Sequence, residues 1–157
     1  MSEVGEFYEK NAAAFDRDRG RQLMERSYLD EVLAQLDPER RHILDLGCGA
    51  GEPIARYLID AGCCVTGVDA SAPMIALAAE RFPEMAWIVA DMRTLALQER
   101  FGAIIAWDSF FHLREEDQRA MFPIFRAHIA PPRRWLRRTL VRDPQCGGHT
   151  VWLAQAA

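Results

Sequence analysis

Three glycines at alternate positions, Gly47, Gly49 and Gly51, follow directly on an apolar run in the segment HILDLGCGAGEP, residues 42–53. A carboxylate, Asp45, stands two residues before the first of them. Two further acids close apolar β-branched runs downstream: Asp69 after CCVTGV and Asp91 after AWIVA. Glycines at such a turn let a ligand approach the backbone closely, and the free amides of a following helix favour electron-rich groups. A carboxylate about 20 residues on, at the end of the second strand, accepts hydrogen bonds from ribose hydroxyls. Asp91, at the end of the third strand, is placed to accept from an exocyclic amine, and Asp45 to face an ammonium directly or through water.

Two phosphate-binding readings compete. A dinucleotide loop of the G-x-G-x-x-G kind needs a glycine where Glu52 stands, and Glu52 would set negative charge beside a pyrophosphate. A phosphate loop ending in Gly-Lys-Ser/Thr is absent from the sequence. Three acids around a bare loop suit a cationic nucleoside better than an anionic one. A nicotinamide-dependent oxidoreductase is therefore the disfavoured reading.

The elements that must position these residues alternate along the chain. Leu29, Val32, Leu33 and Leu36 recur at helical spacing, and Asp37-Pro38 stops that helix. Strands are expected over 41–46, 63–69, 86–91 and 101–109. Between them, Pro53 opens a helix that Gly62 ends, and Ser71 caps a helix entered through Pro73. A further helix is expected from about Glu115 to Ile129, bent at Pro123. This alternation implies right-handed βαβ units and a mainly parallel sheet. We expect an α/β fold, a doubly wound sheet of Rossmann-like type with strand order 3-2-1-4 or 3-2-1-4-5.

The motifs resemble the class I S-adenosylmethionine-dependent methyltransferases, small-molecule branch. LDLGCGAGEP is similar to that family's first motif, VTGVDAS to its second-strand motif, IVADMRTL to its third and FGAIIAWDSFFHL to its fourth. FYEKNAAAFDRDR looks like its N-terminal segment, so the likeness covers roughly residues 5–130. It implies S-adenosyl-L-methionine as cofactor and methyl transfer to a small-molecule acceptor. It also implies cofactor contacts from Asp45, Gly47, Cys48, Gly49, Gly51, Asp69, Ala70, Met74, Asp91, Met92 and Trp107. Tyr8, Phe15 and Arg17 would close over the methionine end. His112, with Asp108 nearby, is the candidate base for a hydroxyl or protonated-amine acceptor. Trp107 and Phe111 could offer a π face to the sulfonium, or simply fill the core with Phe110. The alternative function is a non-catalytic or truncated module that binds the cofactor.

The 157 residues suit one domain, with a formal net charge of −4. We expect no nucleic-acid partner and no membrane span. The acidic N-terminus lacks the apolar core of a secretory signal, which points to a cytoplasmic protein. The four cysteines (Cys48, Cys63, Cys64 and Cys146) show no CxxC spacing, so no metal site is expected.

The family pattern breaks at Pro132. Residues 132–157 hold Arg133, Arg134, Arg137, Arg138 and Arg142 against a single acid, Asp143. We therefore divide the chain into a cofactor-binding domain, 1–131, and an atypical arginine-rich tail, 132–157, such as a frameshift or truncation would leave. Trp135 and Trp152 in the tail read as hydrophobic anchors, and RTLV or HTVWLA as its candidate strands. A sheet of four or five strands leaves an edge, so homo-oligomerisation is expected unless the tail covers it.

Overall fold

The computed structural model describes residues 23–131 and three short strand pieces within 141–155. Helix α1 (Arg26–Gln35) leads into strand β1 (His42–Leu46), helix α2 (Ile54–Asp60) and strand β2 (Cys64–Asp69). Helix α3 (Ala72–Arg81), strand β3 (Ala86–Val89), strand β4 (Ala103–Ile105) and helix α4 (Glu115–His128) follow. Single 3-10 turns lie at Met92–Thr94 and Phe110–His112.

β1 pairs in parallel with both β2 and β4, and β2 pairs in parallel with β3. The order 3-2-1-4 expected from the sequence is the order observed. The two flanking strands are shorter than expected: β3 stops at Val89 and β4 at Ile105, so Asp91 and Asp108 lie in the loops beyond them. Both faces of β1 are covered, which is why its sequence is a nearly continuous apolar run. Ile43 faces Leu29 and Val32 of α1 and Leu58 of α2. Leu44 and Leu46 face Met121 of α4, with Phe101 and Phe110. Burying each such side chain contributes about 1.5–3 kcal/mol.

Local signals set the helix ends. Ser71 caps α3, its Oγ accepting from Met74 N–H, with Pro73 in the first turn. Gly62, just beyond α2, has φ +81°. α4 carries three acids in its first turn and Arg126 and His128 in its last, matching the helix dipole. It runs through Pro123 without interruption.

Beyond residue 131, β5 (Val141–Arg142) pairs antiparallel with β6 (Thr150–Val151). β7 (Ala154–Gln155) pairs antiparallel with β4, so the fifth position in the main sheet is filled by a two-residue strand from the tail. Trp135, Trp152 and Cys146 lie outside the described residues, as do Tyr8, Phe15 and Arg17. Among the described residues, no helix is long and apolar enough to cross a membrane.

Candidate functional site

Because β1 to β4 are parallel, the loops that follow them gather along one edge of the sheet. Gly47 N–H and Cys48 N–H both donate to Val68 O, at 2.7 and 3.2 Å, which ties the glycine loop to the end of β2. Ala90 N–H donates to Asp69 O, at 3.0 Å, and ties the β3 exit to the same point. This is the edge at which open α/β sheets bind ligands.

All three loop glycines have positive φ: Gly47 +77°, Gly49 +55° and Gly51 +79°. Gly47 also has no room for a side chain, since a Cβ there would lie 2.2 Å from Ser109 Cβ. Asp69 is fixed from two sides. One carboxylate oxygen accepts from Gly49 N–H and the other from Ser71 N–H, both at 2.9 Å. An ionised carboxylate has about four lone-pair sites, so two remain for other donors.

Asp45 is buried in the middle of β1, level with Gly67 and Ile105. Its charge and that of Asp69 converge on Cys48. The Cys48 thiol is pushed far above its ordinary value, by burial first and then by those two carboxylates. It stays protonated, so Cys48 packs the loop and is no nucleophile. Met74 is buried with Ala50 behind the loop, and Ala70 is exposed at the β2 exit. Met92 Cε approaches the Gly47 position to 3.6 Å.

Asp91 lies at the start of the 3-10 turn and is held by Arg93. The Arg93 guanidinium forks over both carboxylate oxygens, and Arg93 N–H donates to Oδ1 at 2.9 Å. Hydrogen bonds from Arg93 pull the Asp91 carboxyl below its ordinary value.

The β4 exit has a different construction. Asp108 has φ +49°, a left-handed conformation uncommon outside glycine, and its side chain is exposed. That turn brings Ser109 back over the first loop, where its Oγ donates to Leu46 O at 2.6 Å. Trp107 is half-buried, its ring 5.8 Å from that of Tyr28 on α1. Phe110 is core, packed with Phe125 and Phe122 of α4. His112 is exposed, its ring 4.3 Å from that of Phe111. Asp45, Asp69 and the glycines are therefore brought together, Asp91 stands at the neighbouring loop, and His112 and Asp108 lie on the β4 side.

The sequence pattern of a methyltransferase-domain family matches residues 43–132 of this chain, more than half of it and including every motif just described. The chain belongs to the class I S-adenosylmethionine-dependent methyltransferases. The chain is similar to the dTDP-3-amino-3,6-dideoxy-alpha-D-glucopyranose N,N-dimethyltransferase of Streptomyces fradiae, 30% identical over 131 residues, 82% of this chain and 50% of that relative. It is also similar to the malonyl-[acyl-carrier protein] O-methyltransferase of Pseudescherichia vulneris, 38% identical over 105 residues, 62% of this chain and 40% of that one. Among solved structures it resembles CalS10, an amino pentose methyltransferase from Micromonospora echinaspora solved with S-adenosylmethionine bound. The TM-score is 0.62 and the identity 27%, covering 78% of this chain and 52% of that one. The chain thus spans half or less of the length of the two curated relatives.

Ser109 and Arg93 are the residues that sequence reasoning missed. Nothing in the residue types around Ser109 marks it, because its contact with Leu46 spans 63 residues. Arg93 had a usable signal, an Asp-x-Arg spacing at a strand exit. Glu52 also needs a new reading. Its carboxylate pairs with Arg56 and Arg81, so the negative charge once set against a pyrophosphate is compensated within the protein. What still separates this loop from a dinucleotide loop is the Glu52 side chain itself.

Proposed function

We propose that this methyltransferase binds S-adenosyl-L-methionine along the edge formed by the β1, β2 and β3 exits and transfers its methyl group to a small-molecule acceptor. The observation that carries the reading is Asp69. Its carboxylate is held by Gly49 N–H and Ser71 N–H, with lone pairs left for the two ribose hydroxyls. The rest of the donor set fits the same ligand. Asp91 would accept from the adenine amine, and Gly47 to Gly51 would admit the methionine portion close to the backbone. Asp45 would balance the ammonium, directly or through water. Ala70, Met74 and Met92 would flank the nucleoside, Trp107 would adjoin the methyl-bearing end, and Tyr8 and Arg17 would cover the methionine end.

When bound, S-adenosylmethionine supplies an electrophilic methyl group on a positively charged sulfur. The protein's part is chiefly alignment, because an in-line displacement gains most from holding both partners in register. His112, with Asp108 beside it in sequence, is the proposed group to take the acceptor proton. The acceptors after which the two relatives are named, a sugar nucleotide amine and a malonyl thioester acid, define the classes to screen.

The test is a thermal shift with S-adenosylmethionine, S-adenosylhomocysteine and NAD. Cofactor at about 100 times its Kd should stabilise the fold by about 2.7 kcal/mol, and NAD should give no shift. In Asp69→Ala, measured against the same variant without ligand, that shift should largely vanish. A full shift in the variant would remove the ribose contact from the proposal. A shift with NAD alone would overturn the reading itself.

A further inference from the structure

Arg93 is placed at the adenine end of the proposed site in an unusual way. It lies on the turn after β3, and its guanidinium stands between two acids from different elements. Nε donates to both oxygens of Asp91 at 3.0 Å, and Nη2 donates to Oδ2 at 2.5 Å. On the other side, Nη1 donates to Asp117 Oδ2 in the first turn of α4, at 3.2 Å. The three side chains are 45%, 41% and 30% exposed for Arg93, Asp91 and Asp117. Ion pairs this open to solvent add little to fold stability. What the arrangement supplies is orientation, because a planar fork fixes the plane of the carboxylate it grips.

We propose that Arg93 is a positioning residue that makes Asp91 select an amine over a carbonyl at the purine 6-position. This rests on the cofactor reading above and extends it to a residue outside the nucleoside contacts. Three N–H groups of Arg93 reach Asp91, the single Nε proton shared between Oδ1 and Oδ2, so three protons meet about four lone-pair sites and leave capacity for one more donor. A purine amine supplies such a donor. A purine carbonyl would set its oxygen against an acceptor-only carboxylate. Only the ionised form discriminates, since a protonated acid could donate to the carbonyl. A carboxylate is ionised at neutral pH with or without Arg93, so what Arg93 supplies is the direction of the remaining lone pair, and Asp117 holds the far end of the guanidinium so that the fork stays on Asp91.

The experiment compares binding of S-adenosylhomocysteine with that of its 6-oxo analogue, S-inosylhomocysteine, by calorimetry on the full chain. The quantity read is the ratio of the two Kd values within one protein, which a general loss of folded fraction does not change. Wild type should prefer the amine. Arg93→Ala keeps the Asp91 carboxylate but frees its plane, and should reduce the preference severalfold. Arg93→Lys keeps the charge but not the fork, and should fall between the two. An unchanged ratio in Arg93→Ala overturns the proposal. Should that variant not fold, Arg93→Lys carries the test, and a wild-type ratio there overturns it. Wild type that binds both ligands equally overturns the role of Asp91 as well, while leaving cofactor binding intact. Wild type that binds neither ligand overturns the cofactor reading instead.

Discussion

The β1–β2 exits and the β4 exit border the same crevice but are built differently. At the first, backbone amides and carboxylates satisfy one another: Gly49 and Ser71 donate to Asp69, and Gly47 and Cys48 donate to Val68. At the second, a single left-handed residue, Asp108, turns the chain, and His112 is left exposed. On the proposed function the difference would be a division of labour. A rigid, mutually bonded loop suits the one fixed cofactor, and side chains carried on a turn would meet the acceptor without disturbing the sheet. Ser109 links the two through Leu46 O and fills the space that a Gly47 side chain would need.

The largest expected effect strikes that link. Gly47→Ala would force a side chain into a left-handed backbone and against Ser109 Cβ. We expect a loss of about 2–5 kcal/mol, the sum of a backbone penalty of about 1–2 and an overpacking cost of about 1–3. Urea denaturation measures it. Adding Ser109→Gly should recover the overpacking part and not the backbone part. Full recovery would mean that the positive φ of Gly47 is not needed, and no recovery that Ser109 does not bear on the loop.

The second prediction separates the two exits by function. His112→Ala should lower kcat about 100-fold on an acceptor that wild type methylates, within the range for a general base. Its affinity for S-adenosylhomocysteine should stay at the wild-type value. An unchanged kcat would reduce the β4 exit to shaping the acceptor pocket. A drop in cofactor affinity would mean that the two exits do not divide the work.

The same contrast explains what could be read in the sequence. β1, β2 and the glycine loop were legible because their chemistry is local: an apolar run, a turn that only glycine tolerates, and an acid at the strand end lie within 30 residues. The parallel sheet followed from the alternation of elements and a handedness rule; its order 3-2-1-4 is that of the Rossmann-like type the motifs resemble. The expected strands over 86–91 and 101–109 both ran on past their true ends at Val89 and Ile105. Apolar residues extend past the end of each strand, Ala90 after β3 and Ala106 and Trp107 after β4, and periodicity alone cannot register where pairing stops. The Ser109–Leu46 bond, the Arg93–Asp117 bridge and the β7 pairing with β4 were illegible because each joins residues more than 20 positions apart. His128 shows the same limit. It gives no signal in sequence, yet its ring is buried between Leu97 N–H and Ile124 O as a structural pin.

The smallest expected effect concerns the third exit, where Asp91 meets Arg93. The Asp91 carboxyl is held below its ordinary value by hydrogen bonds from Arg93, so the folded state favours the ionised form. A carboxyl depressed in this way contributes stability that is fully present above the unfolded value, about pH 3.9, and is lost as pH falls through the lower folded value. The pair is two-fifths or more exposed, so solvent screening limits the contribution to under about 1 kcal/mol. Comparing wild type with Asp91→Asn by urea denaturation should therefore show a small deficit for the variant at pH 7. Below about pH 4 the deficit should shrink. A deficit that grew with acid would mean that Asp91 is protonated more readily in the fold than in the unfolded chain. That result would place the β3 exit with the loosely held β4 side rather than with the tightly bonded glycine loop.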